Sequence, residues 1–349
     1  MEYTRYYGYL KVRNGLGIDR REQIATRLSS KEKLIFLARS LAVDTPRVLW
    51  SITYDVAFKP RKAFSRPFRM TILKCALQKV QLTTREQRAL FKPTGVIVAN
   101  YCNSKKLSHE KVLLTNTEDG TEGDSNKHAY KLRPSMLHFI GCGSKAKTTS
   151  KKVFLYFHGG GFVLPITTGQ VRFADRAAQE ADANLAVLEY TLVPQLRYPG
   201  QLAQAATAVR YLLKIWDASD IIIAGDSAGV NMCLSILAHI RKPHPLVEPI
   251  FAEDAPPQKF HGVLCISPRC ASNNKAASFT YNEPNDIISA RSMDIIADKY
   301  GTEVEEVWRV SLLGGKEFWK DIMADRKNEY FYIIIIKKEK KVILNNQWI

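Results

Sequence analysis

The sequence contains no apolar run of the roughly 18–20 residues that a bilayer-spanning helix needs, and its opening residues, MEYTRYYGYLKVRNG, lack the apolar core of a secretory leader. No N-x-S/T glycosylation acceptor occurs in its 349 residues. Six cysteines stand far apart, at 75, 102, 142, 233, 265 and 270, without a CxxC pair, so neither a zinc site nor a disulfide framework is indicated. Reduced thiols in an intracellular compartment, cytoplasmic or peripheral on a membrane surface, are the expectation. The spacing of a phosphate loop is absent as well. GCGSKAKTTS (141–150) therefore reads as a basic surface turn, and no cofactor or metal is expected. Histidine is scarce, and none of the seven follows His261.

Acidic residues are also few, 34 against 51 Lys and Arg, which leaves a net charge of +17. The excess is concentrated at the start, where residues 1–95 hold 20 basic and 7 acidic side chains. No nucleic-acid-binding module or repeating basic-aromatic pattern accompanies it. A solvated basic face is one reading, and contact with anionic lipid headgroups is the other.

Within residues 1–95 the pattern is helical. Ser29 and Glu32 have capping-box spacing ahead of the apolar run KLIFLARSLAV, and Thr83 and Glu86 repeat it before QRALF. Pro46, Pro60 and Pro67 are expected to break this region into short pieces. After residue 95 the character changes. KVLLTN (111–116) and MLHFIG (136–141) read as early strands. From 151 strands and helices alternate: strands at 152–157, 184–192, 220–225 and 262–267, helices at 171–181, 201–215 and 227–240. This order predicts an α/β domain over 96–325, with a mostly parallel sheet covered on both faces. Ligands of such sheets bind at the carboxyl ends of the strands, and two glycine-rich motifs fall there.

The first is GDSAG (225–229), set between an apolar strand and an amphipathic helix. A serine on a sharp strand-to-helix turn needs small neighbours two residues away on either side, and the turn lifts its hydroxyl above the sheet. Ser227 is the candidate nucleophile. The second is HGGGF (158–162), following the strand VFLYF. Consecutive glycines let backbone N–H groups point toward a developing oxyanion without side chains in the way.

With YTLVPQLRYP (190–199) between them, these motifs resemble the hormone-sensitive-lipase-like carboxylesterases, the α/β-hydrolase fold-3 group. The resemblance covers roughly 95–325. It implies an α/β-hydrolase core with an N-terminal helical cap, Ser227 as nucleophile, and an oxyanion hole built from Gly159, Gly160, Gly161 and Ala228, in which the last three supply N–H groups and Gly159 shapes the loop, with His158 positional. Thr191 and Val230 depart from the family's usual arginine and glycine, and ISPR (266–269) replaces its usual SPW.

The family's order of Ser, acid and then His is not completed, because the acid-then-histidine segment is missing. His239, twelve residues along the elbow helix, would lie about 18 Å from Ser227, and His244 lies beyond it. His261 opens a strand at its amino end, His138 reads as a buried or edge histidine, and His158 is the nearest candidate but wrongly turned for base work. Asp226, Asp286 and Glu339 each fail as a clear acid. From 326 the chain reads RKNEYFYIIIIKKEKKVILNNQWI, rich in Ile, Lys and Asn. The expectation is that the family resemblance ends near FWKDIMAD (318–325), with 326–349 arising from a shifted or retained reading frame; the alternative is a divergent final strand with a basic end. An uninterrupted frame through these codons in mature message would sink that idea.

These observations point to a serine carboxylester hydrolase of esterase, lipase or deacetylase type, acting on a small apolar ester or amide and inactive if the triad acid and base are truly missing. The alternatives are a non-catalytic small-ligand-binding protein of the same fold and a membrane-surface interaction protein using residues 1–95.

Overall fold

The computed structural model describes residues 28–58, 86, 90–115, 133–141, 150–193, 195–252, 258–270, 277, 281, 293–294, 300, 306–324, 330–336 and 341–345. The chain divides into two compact units, one of residues 1–91 and 273–298, the other of residues 92–272 and 299–349.

The described helical part of the first unit runs through α1 (Ser30–Arg39), a π turn (Ser40–Asp44) and α2 (Thr45–Phe58). The capping box forms as read: Ser29 N–H donates to Glu32 Oε2 (2.7 Å) and Glu32 N–H to Ser29 Oγ (3.2 Å). Pro46 does not break the helix. A proline cannot donate to the carbonyl four residues back and crowds it. The wider π turn immediately before it, closed by Thr45 N–H to Ser40 O, lets the chain stay helical past that point. Thr83, Pro60 and Pro67 lie outside the described residues.

The second unit is built on one eight-stranded sheet of order β1-β2-β4-β3-β5-β6-β7-β8. Its strands are β1 (His109–Leu114), β2 (Ser135–Ile140), β3 (Lys152–Phe157), β4 (Ala183–Glu189), β5 (Ile221–Asp226), β6 (Gly262–Ile266), β7 (Tyr330–Ile336) and β8 (Lys341–Asn345). β4, β3, β5, β6 and β7 are parallel neighbours, and β1, β2 and β8 add antiparallel flanks. Four further helices accompany them: α3 (Thr94–Lys105), α4 (Thr168–Glu180), α5 (Gly200–Leu213) and α6 (Ala228–Arg241), with α7 (Gly315–Ala324) following later.

Helix α3 was not legible in the sequence, yet it is integral to the core. Val98, Tyr101 and Cys102, at helical spacing, are buried with Val171, Ala174 and Ala178 of α4 against Phe154, Tyr156, Leu185 and Val187 of the sheet. Side chains alternate across a strand, so the intervening Val153 and Leu155 face the other side. There α6 lies on β3, β5 and β6, with α5 beside it. Burial on both faces explains why these strands read as unbroken apolar runs.

The tail forms strands. The run YFYIIII, aromatic and β-branched, pairs in parallel with β6, Gly262 opposite Tyr330 and Ile266 opposite Ile334. β8 then returns antiparallel, Ile336 opposite Lys341 and Tyr332 opposite Asn345.

Candidate active site

Strand β5 ends at Asp226 and helix α6 begins at Ala228, leaving Ser227 alone to make the turn. It does so at φ 52°, ψ −109°, a conformation side-chain-bearing residues rarely adopt. The turn is tight because its surroundings leave no room. A methyl on Gly225 would come within 2.5–2.6 Å of the Gly229 carbonyl, and one on Gly229 would overlap the Phe157 carbonyl. The two glycines of GDSAG are thus required by close backbone approach. The second of these contacts shows that the elbow lies directly against the start of the glycine loop.

Asp226 ties the two together. Its carboxylate accepts from Gly159 N–H (2.8 Å), Tyr156 OH (2.5 Å) and Gln170 Nε2 (2.9 Å), groups from the loop, β3 and α4. Burial and this carboxylate push the Tyr156 phenol well above its usual range, so it remains a donor. The Gly159 N–H is therefore engaged by Asp226, and Gly159 shapes the loop instead of donating to an oxyanion. Gly160, at φ 117°, and Gly161, at φ 63°, turn the chain beyond it. Among the described residues, no hydrogen bond occupies the N–H groups of Gly160, Gly161 or Ala228. Ala228 is also the first residue of α6, where the helix dipole adds partial positive charge. Three unspent donors in two adjoining turns are what stabilisation of a developing oxyanion needs.

His158 is fully buried and fixed from both ends. Gly159 O accepts from its Nδ1 (2.8 Å), Nε2 lies 3.5 Å from Thr94 Oγ1, and the ring stacks on Tyr190 at 4.4 Å. Tyr190 OH donates to the His158 carbonyl (2.7 Å). Burial lowers its pKa and keeps the ring neutral. Both ring nitrogens and the ring face are thus engaged by Gly159, Thr94 and Tyr190. Thr191, at the arginine position of the family, is satisfied by Gln204, which accepts from its N–H and donates to its Oγ1.

The other described histidines are also committed elsewhere. His239 bonds Glu248 O (3.1 Å) and accepts from His244 N–H (2.8 Å); His244 Nε2 lies 3.3 Å from Glu306; His261 bonds Ser219 O (3.0 Å) at the amino end of β6. His138 is buried in β2 and belongs to a relay that the sequence did not reveal. Glu189 at the end of β4 accepts from His138 Nε2 (2.9 Å) and from Gly95 N–H (3.0 Å) at the start of α3, while His138 Nδ1 faces His109 Nε2 (2.9 Å). Burial disfavours the Glu189 charge, but His138 and the Gly95 N–H outweigh it and hold its pKa below the usual value. These partners are separated by 29 to 94 residues in sequence, beyond the reach of any local pattern.

Ser227 Oγ has no hydrogen-bond partner among the described residues. Asp286, Glu339 and His128 lie outside those residues. β8 supplies no substitute, because its direction carries Asn345 toward the amino end of β7, away from the edge where Ser227 stands.

Residues 154–323 match the family model described as the alpha/beta hydrolase fold. The chain has an α/β-hydrolase fold. Within that fold it is similar to versiconal hemiacetal acetate esterase of Aspergillus parasiticus, at 24% identity over half of this chain and 55% of the relative. It is also similar to steryl acetyl hydrolase 1 of Saccharomyces cerevisiae, at 31% identity over 29% of this chain and 25% of the relative. Human hormone-sensitive lipase matches at 29% identity over a quarter of this chain and 9% of the relative. The chain thus spans about half or less of these relatives. Among solved structures, a mutant of the esterase rPPE superposes with a TM-score of 0.50 at 17% identity, covering 70% of this chain and 71% of that one, a likeness of fold. The proteins it matches are thus of esterase type, and its resemblance is to the hormone-sensitive-lipase-like group. No described helix is long and apolar enough to cross a membrane.

Proposed function

We propose that this chain is a serine carboxylester hydrolase whose nucleophile and oxyanion hole are assembled but whose proton shuttle is not. Ser227 attacks the carbonyl carbon of a small apolar ester or amide. Gly160, Gly161 and Ala228 N–H groups hold the negative oxygen of the tetrahedral adduct; the Ser227 proton passes by way of solvent to the departing alkoxide as the acyl–enzyme forms, and water then cleaves the acyl ester, releasing the acid and restoring Ser227. The observation that carries this reading is Ser227 held at φ 52° beside three unoccupied N–H donors. Acetyl esters are the favoured first substrates, since two relatives are named for acetate chemistry.

A second reading has support from one further observation, the unpartnered Ser227 hydroxyl: the chain binds an apolar ligand near Ser227 without turnover. Initial-rate hydrolysis of nitrophenyl acetate by wild type and Ser227→Ala separates the two. With no base, hydrolysis stays within about 10³–10⁴ of the rate in water, the level that an oxyanion hole and binding alone provide. A much faster Ser227-dependent rate would overturn the missing shuttle. Equal rates, with ligand affinity unchanged by Ser227→Ala, would favour the binding protein. The basic excess of residues 1–95 supports a peripheral contact with anionic lipid as a separate property of the chain.

A further inference from the structure

The helical stretch Ser30–Phe58 is arranged inside out. Its less exposed side is charged: Arg39 Nε pairs with Asp44 (3.2 Å), Arg39 Nη1 with Glu86 (3.1 Å), and the guanidinium lies over the Phe36 ring. Its exposed side is apolar. Leu34, Ile35, Leu37, Leu41, Leu49 and Trp50 are all more than half exposed, Trp50 at 73%. Of sixteen large apolar side chains exposed among the described residues, eight fall within 34–54, so this is a patch and not ordinary scatter.

The π turn keeps the patch on one side. At about 100° per residue, a regular helix would carry Trp50 about 160° around from Leu34. The extra residue of the π turn turns the later part back by roughly 100°, which gathers all six side chains into an arc of about 160°. The same correction brings Phe36, Arg39, Asp44 and Val48 together on the opposite side. The irregularity beside Pro46 thus aligns two half-helices into one continuous apolar stripe, roughly 25 Å long from Leu34 to Trp50 at 1.5 Å per residue.

Charge decides what covers the stripe. In sequence, five of the eleven residues at 59–69 are Lys or Arg, and no Asp or Glu occurs between 56 and 85. Before the helix stand Arg20, Arg21 and Arg27, and Lys31 and Lys33 open it. An apolar helix face bracketed by basic segments matches an anionic bilayer surface, which takes the apolar side into the acyl boundary and the basic groups among the headgroups. A second copy would bring the same positive charge against itself. Arg39 and Asp44 on the inner side, with Lys31, Lys33 and Arg47 along the chain, fit a helix that lies in the interface plane.

We infer that Ser30–Phe58 is an in-plane docking helix that seats this protein on anionic lipid through Leu34, Leu41, Leu49 and Trp50. The inference builds on the peripheral contact proposed above and names the face that makes it. It does not depend on turnover at Ser227.

The test is co-sedimentation of the full chain with phosphatidylcholine vesicles, with and without 30% phosphatidylserine, for wild type and for Leu41→Glu combined with Trp50→Glu. Both positions are exposed, so the variant should keep its fold, checked by circular dichroism. Wild type should bind the anionic vesicles, bind the neutral ones weakly, and lose affinity about tenfold or more in the double variant. Brominated acyl chains should quench wild-type fluorescence more than that of Trp50→Phe. Binding that survives the double variant but vanishes in high salt would overturn the apolar face and leave only the basic contact. Concentration-dependent dimerisation of wild type, abolished by the double variant and without vesicle binding, would assign the face to a second copy. A monomer that binds neither vesicle would overturn the face and the peripheral contact together. Hydrolysis of a soluble ester should be the same in wild type and double variant, so a failure here is distinct from a failure at Ser227.

Discussion

Strands β5 and β7 run parallel in one sheet, two positions apart, and end very differently. At the end of β5 the chain is held from several sides: Gly225 and Gly229 permit backbone contact, and Asp226 binds the loop, β3 and α4. At the end of β7 four residues lead into β8, which turns back along the strand it has just left. In this fold the acid and base are expected from the late strands. The turn that holds Ser227 is therefore over-determined, while no histidine follows β6 in the sequence. Over-determination can be measured, and the largest effects should appear around β5.

Gly229→Ala is the severest break. The new methyl would overlap a backbone carbonyl that cannot move without shifting β3, so a loss of about 3 kcal/mol or an unfolded product is expected. Gly141→Ala is the reference, because nothing lies within 4 Å of that position and only its φ of 74° is strained. It should cost about 1 kcal/mol. Urea midpoints that rank the two equally would show that the elbow is looser than its contacts imply.

Asp226→Asn comes next. The amide can accept at one oxygen but presents N–H groups to partners that are themselves donors, Gly159 N–H, Tyr156 OH and Gln170 Nε2. A loss of about 2 kcal/mol is expected, together with a larger fall in any Ser227-dependent ester cleavage, since the loop carrying Gly160 and Gly161 loses its tie to the elbow. Retention of both would reduce Asp226 to a bystander.

The β5 side was legible before the fold was known because its signals are local. GDSAG and HGGGF each state their geometry within five residues, and β3 was read with its observed limits, 152–157. What escaped was what depends on distant partners or on exceptions. Helix α3 lacks a strong amphipathic signature and is recognised by its burial against α4 and the sheet. Pro46 reads as a breaker when taken alone, and only the neighbouring π turn removes the conflict. The relay through His109, His138 and Glu189 joins three strands. That no histidine follows His261 is plain from residue order, whereas the reversal of β8 required the sheet.

That relay supplies a smaller effect, in pH. Burial first, then His138 and Lys111, hold His109 down to about 4, with Glu189 pulling the other way. The unfolded chain takes up this proton near pH 6.5. Stability is therefore full above about 6.5 and is lost as pH falls toward 4, where the unfolded state binds the proton and the folded state does not. Buried His158 acts in the same direction. Melting at pH 5.0 should fall below that at pH 7.5, and His109→Asn should narrow the gap by about 2–4 °C. An unchanged gap would place the titration elsewhere.

The smallest effect has the opposite sign and probes the turn itself. At φ 52°, ψ −109°, Ser227 stores strain of about 1–3 kcal/mol, which glycine would not. Glycine adds entropy to the unfolded chain, which offsets part of the relief, so Ser227→Gly should stabilise by about 1 kcal/mol. Ser227→Ala keeps a Cβ in the same conformation and should change stability by less than about 0.5 kcal/mol. A gain with glycine alone would mean that the chain still holds its nucleophile in the strained pose that attack requires, although no described base faces it. Equal stability of all three proteins would mean that the elbow has relaxed, and the reading of Ser227 as an assembled nucleophile would fall with it.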